Sequence, residues 1–236
     1  MIKFDNVVKR FGSKTAVNHL NLEIKNGLIH GFLGPNGAGK TTSLKMILTL
    51  LKPDEGSVSI EGVNVNDDPL KTKRMISFVP DNPDIYESIT GRQYINFIAD
   101  VYGVDRKLAN ERMIELANLF EISNDLDNLI GTYSHGMKQK ICLIGALVND
   151  PKVLILDEPL VGLDPKSAFN LKNLLKEHAQ KGNYIFFSTH VLDVAENLCD
   201  VVTIINKGEL IVSGTIEEIK SSHGQRLEEL FLELTK

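Results

Sequence analysis

The sequence predicts an α/β protein: a core with a mostly parallel sheet, an antiparallel β subdomain at the N-terminus, and a helical lobe inserted in the middle of the chain. Three observations predict it. Short apolar runs bounded by turn residues alternate with helix-period segments up to about residue 84, and again after Pro151. Between them, from about residue 85 to 150, apolar residues recur at helical spacing. A glycine-rich loop at Gly34–Thr41 joins an apolar strand to a helix. Residues 1–236 are therefore expected to form one domain, with a core at about 1–84 and 151–236 and a lobe at about 85–150.

Each element has its own signal. Val7, Val8, Val17, Leu20, Leu22 and Ile24 are spread among polar residues and predict short strands, with a turn at Asn26-Gly27. Leu28–Leu33 is a short apolar strand that runs into the glycine-rich loop. Thr41–Leu51 reads as a helix closed by Pro53 and Gly56. In the lobe, Thr90-Gly91-Arg92-Gln93 has the form of a capping box. Three stripes come after it: Ile95, Ile98, Val101 and Tyr102; Met113, Leu116, Ala117 and Phe120; Met137, Ile141, Ile144 and Val148. Val153–Leu156 reads as a buried strand. Asp164-Pro165 supplies an N-cap and a proline at the first helical position, and that helix stops at Gly182. Tyr184–Ser188, Val201–Ile205 and Glu209–Val212 are strands, with a helix near Val191–Leu198. Leu227, Leu230, Phe231 and Leu234 form one face of a C-terminal helix.

Composition narrows the function classes. The 236 residues are long enough for a substantial core, with 42% hydrophobic and 24% charged residues. A net charge of −5 gives no general attraction to nucleic acid, and no nucleic-acid partner is expected. Met1-Ile2-Lys3-Phe4-Asp5 lacks the apolar run of a signal peptide. The longest apolar stretch, around Ile141–Val148, falls far short of the ~20 residues that span a bilayer. Cys142 and Cys199 sit in apolar surroundings and are expected as reduced, buried thiols of a cytosolic protein.

Gly34-Pro35-Asn36-Gly37-Ala38-Gly39-Lys40-Thr41 matches the phosphate-loop pattern G-x-x-x-x-G-K-[ST]. Glycines let backbone N–H groups turn inward around a phosphate, and the following helix offers its positive end to the anion. Lys40 is placed to reach the outer phosphates, with the Thr41 hydroxyl on Mg²⁺ and Thr42 beside it. The expected ligand is ATP with Mg²⁺, on a P-loop NTPase core. Val153-Leu154-Ile155-Leu156-Asp157-Glu158-Pro159 is an apolar strand ending in two carboxylates. Beside a phosphate loop, Asp157 suits Mg²⁺ and Glu158 suits a base that deprotonates water. The alternative is a buried strand that simply emerges into an acidic turn.

With the lobe between them, these motifs resemble the ATP-binding subunits of ABC transporters. Tyr133-Ser134-His135-Gly136-Met137 is similar to that family's signature, usually Leu-Ser-Gly-Gly-Gln. Gly162-Leu163-Asp164 resembles its D-loop, His190 after Phe187-Ser188-Thr189 its switch histidine, and Phe11 its adenine-stacking aromatic. Each has a plainer reading: Phe11 as core, Ser134 as a helix cap, His190 as structural, Asp164 as an N-cap. The resemblance implies two ATPase domains sandwiching two ATP molecules, each phosphate loop facing the other chain's signature. Ser134 and Gly136 would then act in trans on the partner's nucleotide, and Asp164 would communicate between subunits. The partner is a second copy or a paralogue, and the lobe docks on a separate membrane permease. That places the chain in the cytoplasm, peripheral on the inner face of the membrane.

Two departures stand out. Asp81, after Ile76–Val79 and Pro80, stands where the family usually has a glutamine that touches Mg²⁺ and reports to the permease. In the signature, His135 replaces a glycine and Met137 the glutamine. Tyr-Ser-x-Gly-Met-Lys-Gln at 133–139 and Leu227-Glu228-Glu229-Leu230-Phe231 resemble the exporter branch that handles drugs, antibiotics and peptides. The rivals are a soluble ABC-type ATPase driving assembly or repair without a permease, and a non-hydrolysing regulator. Retention of Glu158 and His190 disfavours the regulator.

Overall fold

The computed structural model describes residues 1–223 and 227–234. Its N-terminal segment folds into two long strands where short ones were expected. Strand β1 (Ile2–Phe11) pairs antiparallel with β2 (Lys14–Ile24), Ile2 opposite Ile24 and Phe11 opposite Lys14. Register shifts after Phe4 and Val7 break the two-residue period, so adjacent Val7 and Val8 are both buried. That interruption gives continuous strands the sequence pattern of fragments. Strands β4 (Glu55–Ile60) and β5 (Val63–Asn64), which the sequence pattern does not announce, complete the sheet in the order β2-β1-β4-β5.

The second sheet contains β3 (Ile29–Leu33), β6 (Ile76–Val79), β7 (Val153–Asp157), β8 (Tyr184–Thr189), β9 (Val201–Asn206) and β10 (Glu209–Thr215). Its order is β10-β9-β3-β8-β7-β6, parallel throughout except for the β9–β10 hairpin. Strands β3, β7 and β8 are buried at every position, as their unbroken apolar runs require when both faces are covered.

Helix α1 (Lys40–Ile47) is shorter than the predicted 41–51. The chain leaves the helix at Thr49, which adopts a left-handed φ of 58°. The N–H groups of Leu50 and Leu51 turn back to the Lys45 carbonyl. A short α2 (Pro69–Lys73) leads into β6. The lobe consists of α3 (Gly91–Tyr102), α4 (Arg106–Leu119) and α5 (His135–Leu147). Both capping-box bonds are present: Gln93 N donates to Thr90 Oγ1 at 3.2 Å, and Thr90 N to Gln93 Oε1 at 2.9 Å. Ile95, Met113, Ala117, Phe120, Ile141, Ile144 and Val148 are buried as expected. Val101 is not: it is 64% exposed, at the side of α3 that faces a groove against the core.

After β7, α6 (Pro165–Gln180) starts at its Asp164 cap and ends before Gly182 at φ 81°. Helix α7 (Leu192–Leu198) comes after β8, and α8 (Ile216–His223) and α9 (Leu227–Leu234) close the chain. Phe231 of the predicted C-terminal face packs on a cluster with Leu33, Val202 and Ile204. The side chains of Leu227, Leu230 and Leu234 lie outside the described residues. Both cysteines are free; Cys142 is buried, whereas Cys199 is only half-buried.

Candidate nucleotide site

The phosphate loop leaves β3 and enters α1 through Gly39, whose φ of 109° few other residues adopt. A Cβ there would lie 2.5 Å from the Ala16 carbonyl oxygen. Strand β2 therefore fixes the loop from behind and admits only glycine at this point. Lys40 is buried and folds over the loop, its Nζ donating to the carbonyls of Gly34 at 2.5 Å and Pro35 at 3.2 Å. Burial lowers the Lys40 pKa, against the attraction of Glu158 and Asp157. An anion arriving here meets a partly desolvated ammonium and the open N-terminus of α1.

The two acids at the end of β7 are held differently. Asp157 accepts hydrogen bonds from Thr41 Oγ1 at 3.1 Å and from the Ser188 hydroxyl. Glu158 has a left-handed φ of 49°, which turns its side chain away from the strand direction. Its carboxylate, on a residue only 9% exposed, receives three donors. Thr189 Oγ1 lies at 2.9 Å, the His190 backbone N at 2.9 Å and His190 Nδ1 at 2.6 Å. The Val191 N–H donates to Thr189 Oγ1 at 3.1 Å, leaving the hydroxyl hydrogen for Glu158. With Nδ1 donating to the carboxylate, Nε2 is the His190 nitrogen left for a ligand.

Lys40, Thr41, Asp157 and Glu158 open on one cleft of about 310 Å³, whereas His190 lines a separate cavity with Leu192 and Asp193 and reaches the cleft only through its bonds to Glu158. Asn36, Gly37, Gly39–Thr42, Asp81, Asp157 and Glu158 line the cleft. Phe11, 50% exposed at the end of β1, lines it as well, with Lys14 and Ala16. Its exposure removes the alternative that Phe11 is core. Lys14 and Ala16 were not anticipated, nor were Ser188 and Thr189 as anchors for the acids. Neither Ser134 nor Gly136 lines this cleft. Ser134 caps α5, accepting from Met137 N at 3.3 Å.

The sequence profile described as ABC transporter matches residues 17–161. The chain belongs to the ABC transporter family of ATP-binding subunits. This ABC subunit is 37% identical to the bacitracin transport ATP-binding protein BcrA of Bacillus licheniformis, over 99% of this chain and 74% of that protein. It is 35% identical to the daunorubicin/doxorubicin resistance ATP-binding protein DrrA of Streptomyces peucetius, over 96% of this chain and 68% of that protein. A solved ATP-binding subunit of an ABC transporter superposes with TM-score 0.95 at 30% identity, over 100% of both chains. A dimeric post-hydrolysis ATP-binding cassette, MJ0796 with ADP and Pi, superposes with TM-score 0.81 at 28% identity, over 91% of this chain and 98% of that one.

The ABC subunit is thus an ATP-binding ATPase, and the turn at 162–164, which sequence resemblance likens to a D-loop, has clear local chemistry. Asp164 accepts from Ser167 N at 2.8 Å and Ser167 Oγ at 2.7 Å, and pairs with Lys140 at 2.7 Å. Lys140, and then Ser167, hold its carboxyl well below the usual carboxylate range. No helix among the described residues is long and apolar enough to cross a membrane.

Proposed function

We propose that this chain is the ATP-hydrolysing subunit of an exporter of a drug, antibiotic or peptide, working as a dimer on a separate membrane permease. Residues 1–236 act as one ATPase domain, located in the cytoplasm and peripheral to the membrane through the permease. The observation that carries the proposal is the Glu158 carboxylate, fixed by Thr189 and His190 in the cleft that holds Lys40 and Thr41. A regulator that only binds nucleotide has no need of a base held in this way.

In the proposed reaction Phe11 stacks on the adenine, while the loop N–H groups of 34–42 and Lys40 hold the phosphates. Glu158 takes the proton of the attacking water, and His190 Nε2 contacts the γ-phosphate. Thr41 Oγ1 and Asp157 Oδ2, 3.1 Å apart, are hard oxygen donors that fit Mg²⁺, with Asp81 lining the same cleft. Bound with ATP, that ion would neutralise charge on the outer phosphates. Ser134 and Gly136 lie off the cleft, which supports their use on a partner's nucleotide.

A groove of about 480 Å³ suits the permease. It runs between core and lobe, lined by Leu48, Leu50, Leu70, Phe78, Val101 and Tyr102, with Lys73 and Arg74 at its rim. The names of the relatives, bacitracin transport and daunorubicin/doxorubicin resistance, support export. Purification of the tagged chain from detergent-solubilised membranes tests the assignment. A membrane-spanning protein should co-purify in fixed ratio, and its addition should raise ATP turnover. Hydrolysis with no membrane partner retained would instead favour a soluble ABC-type ATPase.

A further inference from the structure

The signature position that most departs from the family form, His135, makes a contact that its in-trans role does not require. The D-loop turn begins at Glu158 itself: Val161 N donates to the Glu158 carbonyl at 3.2 Å, and Leu163 N to Leu160 at 3.3 Å. At its tip Gly162 has φ 82°. A Cβ there would stand 2.6 Å from His135 Cδ2 and 3.1 Å from Nε2, so the imidazole edge occupies the space a side chain would need. One residue on, a Cβ at Gly136 would stand 2.5 Å from the Gly162 carbonyl oxygen. One turn further, Lys140 reaches Asp164 at 2.7 Å. The first turns of α5 thus grip the D-loop of the same chain at three successive points.

We infer that His135 is a positioning residue: its imidazole seats Gly162, fixing within one chain the turn that carries Glu158 relative to the signature. Two bare glycines facing each other across this gap would leave the D-loop tip free to shift, whereas the His135 ring, exposed on its outer side, lies against Gly162 and narrows the positions the tip can take. The signature then acts twice, in trans through Ser134 and Gly136 and in cis through His135. The inference rests on the proposed shared ATPase site.

The test is a set of substitutions in the purified full chain: His135→Ala, His135→Phe, Gly162→Ala, and the pair His135→Ala with Gly162→Ala. His135→Ala should lower kcat about fivefold or more and leave the KM for ATP within about twofold, because binding does not use the contact. His135→Phe keeps the ring contact and should keep most of kcat. Gly162→Ala adds both a left-handed alanine and a contact on the His135 ring and should lose about tenfold or more; adding His135→Ala should restore the several-fold part due to the ring and leave the part due to backbone strain. The same relief should appear in melting temperatures, which need no turnover. Independent effects of the two substitutions in both readouts, or a change confined to KM, would overturn the inference while the ATPase assignment stands. A wild-type chain that does not hydrolyse ATP would overturn both.

Discussion

Replacing Glu158 by glutamine separates chemistry from structure at one atom. In the native site Oε1 accepts from His190 N and Nδ1, at 2.9 and 2.6 Å, and Oε2 accepts from Thr189 Oγ1 at 2.9 Å. Glutamine can turn its carbonyl to the two His190 donors and its NH₂ to Thr189, whose hydroxyl can rotate to accept. Thr189 Oγ1, which already accepts from Val191 N, then has no acceptor for its own buried hydrogen, so folding stability should fall by about 1–3 kcal/mol at most, at about 2–4 °C of melting temperature per kcal/mol. Nucleotide affinity should hold, since Lys40 and the loop are untouched. The carboxamide cannot take a proton from water. A positioned general base is worth about 10²–10⁴ in rate, or about 3–5 kcal/mol on the barrier at about 1.4 kcal/mol per tenfold. Phosphate release by Glu158→Gln should fall by that factor, and ATP should accumulate a dimer by light scattering, because the γ-phosphate persists. Turnover within a few fold of wild type would remove Glu158 as the base and, with it, the purpose assigned to its three donors.

Four further outcomes test other parts of the site and fold. Lys40→Ala removes charge-assisted bonds worth about 1.5–3 kcal/mol each, so ATP should bind at least tenfold more weakly by calorimetry; unchanged affinity would sink the phosphate-loop assignment. Ser134→Arg should abolish hydrolysis yet leave ATP binding by the monomer intact, and persistent turnover would contradict a site shared between chains. Gln139, on α5, is fully buried, and neither amide atom has a hydrogen-bond partner among the described residues. Gln139→Leu should therefore raise stability by about 1–3 kcal/mol in a thermal melt, whereas a lower melting temperature would show that the amide is satisfied. His30 is buried against Phe186, with Nε2 2.8 Å from Thr203 Oγ1, and burial lowers its pKa to about 4. Below about pH 6.5 the unfolded chain takes up a proton there that the folded chain refuses, so stability falls as pH drops from about 6.5 toward about 4. Between pH 7 and 5 the wild type should lose about 2 kcal/mol more than His30→Gln in urea titrations, and parallel losses would refute the assignment.

Features carried by contiguous residues were legible in the sequence. The phosphate loop is legible because wrapping an anion demands glycines, a lysine and a hydroxyl in one short run. The Thr90–Gln93 capping box and the Asp164-Pro165 helix start are legible for the same reason: partners three residues apart fix each other's conformation. Elements whose form depends on distant pairing were not. The bulges that let Val7 and Val8 both face inward, and the strands at 55–64, arise from how β1 pairs with β2 and β4. Val101 fits a helical stripe, but whether a stripe residue meets the lobe core or an open groove is decided by the neighbouring domain surface. Lys14 and Ala16 reach the cleft only because β2 packs behind Gly39.

Parallel register explains the rest of the site, including its least conventional residue. Strand β7 pairs with β8 so that Asp157 lies opposite Ser188, and with β6 so that Val79 lies opposite Leu156. Strand β3 pairs with β8 so that Leu33 lies opposite Thr189. The four strands therefore end staggered by no more than the step from Phe187 to Thr189, and the loop leaving each strand is delivered to the same edge. Gly34 comes after β3, Asp81 shortly after β6, Asp157 and Glu158 at the end of β7, and His190 after β8. In open α/β sheets ligands bind beyond the carboxyl ends of the strands, and here that edge is the cleft. Asp81, just past the end of β6, is thereby carried to the cleft that Asp157 also lines. An acid there, in place of the glutamine that the family resemblance leads one to expect, puts a third carboxyl on the cleft beside Asp157 and Glu158.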